Sequence, residues 1–260
     1  MTPLTPLAAV LGLAAFVTSS TIQAQNVTFG SPQLITGDNN LIDAANTPGV
    51  VDVDAILPNG NRNNGVNTGA SITADGVTFN AATFSTTSTS DGTITLTAAA
   101  SPGTYSSGSF SQYGNNGGGF PVSGSASASF AAVQTVGGVF GTAGVITISS
   151  AALTAGTTYD VQIFNYSNDG ANESTTFTSG GSSVTLVDDD GAGNGYFTTG
   201  TFTATGANEV IDFSYASGPY TPVVGAINVV ATPEPSTSLL MLGGMLCVVF
   251  GMRHRRQATA

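Results

Sequence analysis

Hydrophobic and polar residues alternate one for one along most of the chain between residues 25 and 231, in short runs cut by Gly, Asn and Asp. Thr158 to Tyr166 is a clear case: Tyr159, Val161 and Ile163 fall on one side, Asp160, Gln162 and Phe164 on the other. A period of two is the signature of a strand whose two faces meet different surroundings. Similar runs stand at 26–29, 49–55, 71–79, 93–97, 144–149, 174–178, 183–187, 196–204, 209–215 and 223–230. Asp75-Gly76 sits between two of these runs as a two-residue hairpin signal, and Asp91-Gly92 leads into another. Residues 58–65, Pro-Asn-Gly-Asn-Arg-Asn-Asn-Gly, read as a loop of residues that tolerate positive φ. Residues 101–127 read as a longer loop, and Ser129–Gln134 as a short helical turn ahead of Gly137-Gly138. Many short strands with turns between them predict an all-β domain, an antiparallel β-sandwich spanning 25–231.

The pattern changes at both ends. Leu7 to Val17 is continuously apolar, and polar residues with a small Ala24 follow. That run is short for a membrane span and matches a secretory signal peptide over residues 1–24. At the other end, Pro233-Glu234-Pro235-Ser236 stops regular structure. Leu239–Met252 is apolar, and Arg253-His254-Arg255-Arg256 is basic. A membrane helix over 237–252 would be barely long enough to cross a bilayer of about 30 Å. Its basic end would stay cytoplasmic and leave the body outside.

Charge sharpens this division. Residues 25–232 hold 14 of the 15 acidic residues against Arg62 alone, a side-chain net charge of −13. Without lysine and with one arginine, such a body cannot neutralise phosphates, so nucleic acid is excluded as a partner. The body has no His and no Cys either; His254 and Cys247 both stand in the tail. Ser-His-Asp and Cys-His catalysis, Schiff-base chemistry and His- or Cys-ligated zinc are thereby excluded from it.

Carboxylates, hydroxyls and amides remain. Two carboxyls suffice for a glycosidase, and the candidate pairs are Asp52 with Asp54, which alternation puts on one face, and Asp160 with Asp212. Asp188-Asp189-Asp190 precedes Gly191-Ala192-Gly193-Asn194 between two strand runs. Adjacent carboxylates repel, and a hard cation would relieve them. The segment is therefore either a polar hairpin connection or a calcium loop with Asp188, Asp190 and Asn194 as ligands. Asn165, Asn168, Asp169, Asn172 and Glu173 form a weaker cluster of the same kind. Tyr105, Tyr113, Tyr166 and Tyr220 are candidates either for the core or for stacking on a sugar face.

Thr232-Pro233-Glu234-Pro235-Ser236, the apolar run and the terminal Arg253, Arg255 and Arg256 together closely resemble the PEP-CTERM sorting signal, here over 232–260. The resemblance implies a Gram-negative host, export by the Sec machinery and transient anchoring in the inner membrane. It further implies processing by an exosortase and a final place at the cell surface or outside it, often with exopolysaccharide. The stretch from Leu153 to Ala204 resembles the Thr- and Gly-rich sandwich domains that precede such tails. Those look like jelly-roll or galactose-binding sandwiches. The expectation is a non-enzymatic exported surface or matrix protein. The alternatives are a carbohydrate-binding module assisted by calcium, and a carboxylate-only glycosidase.

Overall fold

Alternation decides which side of each strand is buried, and the computed structural model shows two large sheets whose apolar sides face each other. It describes residues 26–63, 66–99, 109–113, 128–167, 173–190, 194–217 and 222–232. The expected signal peptide and sorting segment lie outside these residues.

The strands are, in chain order, β1 (Thr28–Phe29), β2 (Gln33–Leu34), β3 (Val51–Leu57), β4 (Arg62–Asn63) and β5 (Val66–Asn67). Next come β6 (Ile72–Ala74), β7 (Val77–Ala81), β8 (Thr83–Phe84), β9 (Ser88–Ser90), β10 (Ile94–Ala98) and β11 (Ser111–Tyr113). One helix, α1 (Ala128–Val136), precedes β12 (Gly138–Phe140) and β13 (Gly144–Ile148). The long strands follow: β14 (Thr158–Asn165), β15 (Glu173–Ser179), β16 (Ser182–Asp189), β17 (Tyr196–Thr203) and β18 (Glu209–Ser217). β19 (Val223–Val224) and β20 (Ala226–Ala231) complete the series.

The first sheet runs β1-β17-β14-β20-β3-β7-β6, with β2 also on β17, and the second runs β16-β15-β18-β13-β10-β9-β8. β11-β12-β19 form a small third sheet. Pairing is antiparallel except between β3 and β7. The main core lies between the two large sheets. Val161, Ile163, Ile227 and Val229 of the first meet Ile94, Leu96, Ile146, Phe177, Leu186, Ile211 and Phe213 of the second. Phe213 is central: its ring lies 6.1 Å from Phe110 and 6.4 Å from Phe177. The fold is all-β and sandwich-like, as the alternation predicts.

The first sheet is also covered on its other face, which the period-two pattern does not reveal. Phe164, Phe197 and Tyr166 pack there against Phe130 and Val133 of α1, with the Phe130 and Phe164 rings 5.2 Å apart. Buried Gln162 and Asn228 on that face hold the segment around Asn40–Ile42. Gln162 accepts from the Ile42 amide at 2.8 Å and donates to the Asn40 carbonyl at 2.7 Å. Asn228 donates to the Ile42 carbonyl at 2.8 Å. Asp38 in turn accepts from the Phe130 amide at 3.0 Å, seating the first turn of α1. The helix is longer than the expected turn and ends at Gly137, whose φ of 78° stops it.

Local chemistry sets the turns. Asp75 and Gly76 both have positive φ, 46° and 92°, as a two-residue hairpin between β6 and β7 requires. Asp91 accepts from the amides of Thr93 and Ile94 at 3.0 and 2.9 Å, which starts β10. The outer face of the second sheet carries paired hydroxyls, Thr176 with Thr185 at 2.9 Å and Ser90 with Thr95 at 2.7 Å.

Candidate functional site

The acidic residues occupy three kinds of place: outer faces, a hollow between β3 and β7, and the two ends of the core. Asp160 lies on the outer face of the first sheet, where it accepts from Thr201 Oγ1 at 2.7 Å. Asp212 is exposed between inward Ile211 and Phe213, so it stands on the outer face of the second. The whole thickness of the sandwich separates the two side chains. The expected pairing of Asp160 with Asp212 is corrected: no substrate bond reaches both.

Asp52 and Asp54 also depart from expectation. Asp54 is opposite Val229, but Asp52 is opposite Val230, with a bulge in between that leaves Val53 without a partner. A bulge of one residue turns the next side chain to the other face. Asp54 therefore points toward the core and Asp52 away from it, where it accepts from the Ala44 amide at 3.0 Å. The single shared face read from alternation is corrected for this reason. Both residues still border a hollow of about 260 Å³, because β3 and β7 pair only from Ala55 onward.

Asp54 is the perturbed acid of that hollow. Burial pushes its pKa up to about 7, and the Asp91 carboxylate beside it adds to the shift. The Asn80 amide, donating at 2.9 Å, opposes it. Glu209, at the start of β18, is likewise pushed up to about 7 by burial, against hydrogen bonds from the Val210 amide and Ser179. A carboxyl in this range is protonated about half the time at neutral pH.

At the opposite end, the core closes on Asn165, Glu173 and Asp188. β14 alternation puts Asn165 on the inner face after Tyr159, Val161 and Ile163. On β16, Asp188 follows inward Val184 and Leu186. Glu173 begins β15 opposite Asp189, with the register shifting at the next residue. Asn165, Glu173 and Asp188 are all fully buried. The Ser167 amide donates to the Asp188 carbonyl at 2.8 Å, tying the end of β14 to the end of β16. Thus the two sequence clusters, around 165–173 and around 188–194, meet in space. Asp190 accepts from the backbone amide of Asn194 at 3.2 Å, from its side-chain amide at 2.7 Å and from the Tyr196 hydroxyl at 3.2 Å. Among the described residues, no three Asp, Glu, His or Cys side chains converge on one point. Asn168, Asp169 and Asn172 lie outside the described residues.

The tyrosines divide. Tyr105 and Tyr220 lie outside the described residues, and Tyr113 is described by its backbone, paired with Gly138. Tyr166 is corrected from candidate sugar platform to core residue. It is fully buried, and its hydroxyl donates to the Val133 carbonyl at 3.2 Å. Glycine makes the room for it: a Cβ on Gly225 would stand 2.5 Å from the Tyr166 ring. Burial also drives its pKa far above the ordinary tyrosine value. Tyr215, half exposed on β18, is accessible instead. The sequence did not single it out, because alternation puts it in line with inward Ile211 and Phe213. No protein-family model matches the chain, and no curated protein or solved structure is significantly similar to it.

Proposed function

We propose that this chain is a non-enzymatic exported protein of the cell surface or extracellular matrix, delivered by a PEP-CTERM-like tail and processed by an exosortase. What carries this reading is the order of parts: an acidic, lysine-free all-β body followed by Pro233-Glu234-Pro235-Ser236, an apolar run and Arg253, Arg255 and Arg256. The body would be a jelly-roll-like sandwich, and its partners would be the Sec machinery, the exosortase and exopolysaccharide. The anchor over 237–252 would hold the inner membrane only transiently. Mass spectrometry of the mature protein from cell-surface and medium fractions tests it. The expected result is no peptide from Leu239–Met252. Intact tail peptides on surface or secreted protein would overturn it.

One observation favours a second reading, action on a polysaccharide. The hollow beside Asp54 holds a carboxyl whose pKa of about 7 suits a general acid. Hydrolysis of extracellular polysaccharide that disappears in Asp54→Asn, with an unchanged fold, would establish it over the first reading.

A further inference from the structure

The two large sheets join at a corner where the chain leaves β7 of the first and enters β8 of the second. Two hydrogen bonds pin the end of β3 there. The Ala82 amide donates to the Leu57 carbonyl at 3.1 Å, and the buried Thr89 hydroxyl donates to the Pro58 carbonyl. A third contact between β3 and the second sheet is of another kind. Asp54 of β3 and Asp91 of the turn between β9 and β10 meet carboxyl to carboxyl, within hydrogen-bonding reach. Each is held through its Oδ1. Asn80 Nδ2 donates to Asp54 at 2.9 Å, and the amides of Thr93 and Ile94 donate to Asp91 at 3.0 and 2.9 Å. Each Oδ2 is buried with no donor among the described residues. Two ionised carboxylates cannot bond to one another, since both only accept. One proton between them supplies the missing donor.

We propose that Asp54 and Asp91 share a single proton, which clasps the β9–β10 turn of the second sheet to β3 of the first. Asp54 holds the proton and donates it to Asp91 Oδ2, because the two backbone amides on Asp91 favour its ionised form. The surroundings favour the same state. Strands β7, β8, β9, β10 and β20, which flank β3 and the turn, carry no titratable side chain. The charged groups around the hollow beside Asp54 are all acidic: Asp52 borders it from the other face of β3, Asp43 stands behind Gly76 on its wall, and Asp75 precedes that glycine. Burial, with the Asp91 charge adding to it, puts loss of the proton at about pH 7, against the Asn80 and Ala55 amides. Above that pH two carboxylates face each other in a partly buried setting and repel. The turn then loosens from β3. The Ala82 and Thr89 bonds contain no ionisable group and keep the corner joined. The hollow is thereby coupled to pH. This goes beyond the sorting reading and rests neither on it nor on polysaccharide hydrolysis.

The test uses the purified full-length protein, with carboxyl-carbon NMR titration and amide hydrogen exchange at pH 5 and pH 8. The Asp54 carboxyl carbon should titrate near pH 7 with the Asp91 carbon shifting in step, as a coupled pair does. In Asp91→Asn the side-chain amide can donate to Asp54, so its midpoint should fall by about one pH unit or more. In the parent, the Thr93 and Ile94 amides should exchange about tenfold or more faster at pH 8 than the intrinsic pH dependence accounts for. Asp54→Asn places a permanent donor against Asp91 and should remove that excess. Asp160→Asn, on an outer face, should leave both readings as in the parent. Should either pair variant fail to fold, the two parent readings still decide the matter. Independent titration of the two carboxyls, an Asp54 midpoint unmoved in Asp91→Asn, or no excess exchange at pH 8 in the parent would overturn the clasp.

Discussion

At one end of the sandwich, Asn165, Glu173 and Asp188 come from three strands, and both carboxylates are fully buried with no basic residue on those strands. Toward the other end, Asp54 has Asp91 and Asn80 beside it, and Glu209 has Ser179, the carboxyls of Asp54 and Glu209 being pushed up to about 7. The body that supplies both groups has one arginine and no lysine. At the Asp54 and Glu209 end, burial raises both carboxyls into the range where a proton is held near neutral pH, and for Asp54 the Asp91 carboxylate adds to that. At the Asn165 end the amide of Asn165 is fully buried with no hydrogen-bond partner for either side-chain atom among the described residues, and Glu173 and Asp188 are fully buried as well. The lesson is that an acidic composition does not fix the state of each acid: burial raises Asp54 and Glu209, while Asp160 and Asp212 stand on the outer faces.

The largest expected effect is one that ignores the difference between the ends. Phe213 lies in the shared core between Phe110 and Phe177. Phe213→Ala removes a buried ring and leaves a cavity, costing about 3–5 kcal/mol. Chemical denaturation should show that loss equally at pH 5 and pH 8. A loss confined to one condition would mean that the core is not shared.

The next effect separates the ends by pH. An unfolded carboxyl titrates near 4, whereas Asp54 and Glu209 titrate at about 7 in the folded protein. Between these values the folded state holds more protons, so stability falls as pH rises. The contribution is complete below about pH 4 and lost as pH passes about 7. In EDTA, the unfolding midpoint should drop from pH 5 to pH 8. Asp54→Asn combined with Glu209→Gln should flatten that slope. Midpoints that rise over this range would contradict the protonated state of both acids.

A smaller effect probes the helix side of the first sheet. Tyr166→Phe deletes the bond to the Val133 carbonyl and keeps the ring, so a loss of about 1 kcal/mol is expected in urea melts. A sugar-binding role for this tyrosine would instead leave stability unchanged and weaken binding on a glycan array.

The strands that carry the core were legible because their faces differ: β10, β13, β14 and β18 read inward and outward directly from alternation. What escaped was decided by tertiary contacts. β8, β9, β11 and β12 span two or three residues each and give no periodic signal. α1 was read too short, and the covered outer face of the first sheet was not read at all, because Phe164 and Gln162 look like the solvent side of an alternating strand. Asn165 and Glu173 were visible as a weak cluster and Asp188 as a stronger one. Their meeting depends on β14, β15 and β16 ending at the same edge of the interlayer, which strand order decides and local sequence does not. The bulge at Val53 is a similar case. A single extra residue in β3 turns the two expected partners, Asp52 and Asp54, to opposite faces of the strand.

The outer faces supply the smallest effect and the sharpest control. Asp160 accepts from Thr201 across the β14–β17 ladder, and Asp212 is exposed beyond the second sheet. In Asp160→Asn the amide oxygen still accepts from Thr201 Oγ1, and the charge lost was already in water. Both Asp160→Asn and Asp212→Asn should therefore change stability by about 0.5 kcal/mol or less. Either one flattening the pH slope as far as the Asp54→Asn, Glu209→Gln pair does would show that overall negative charge, rather than the buried acids, sets the pH response. If neither does, the pH response belongs to the buried acids, Asp54 and Glu209, and to the burial that raises them.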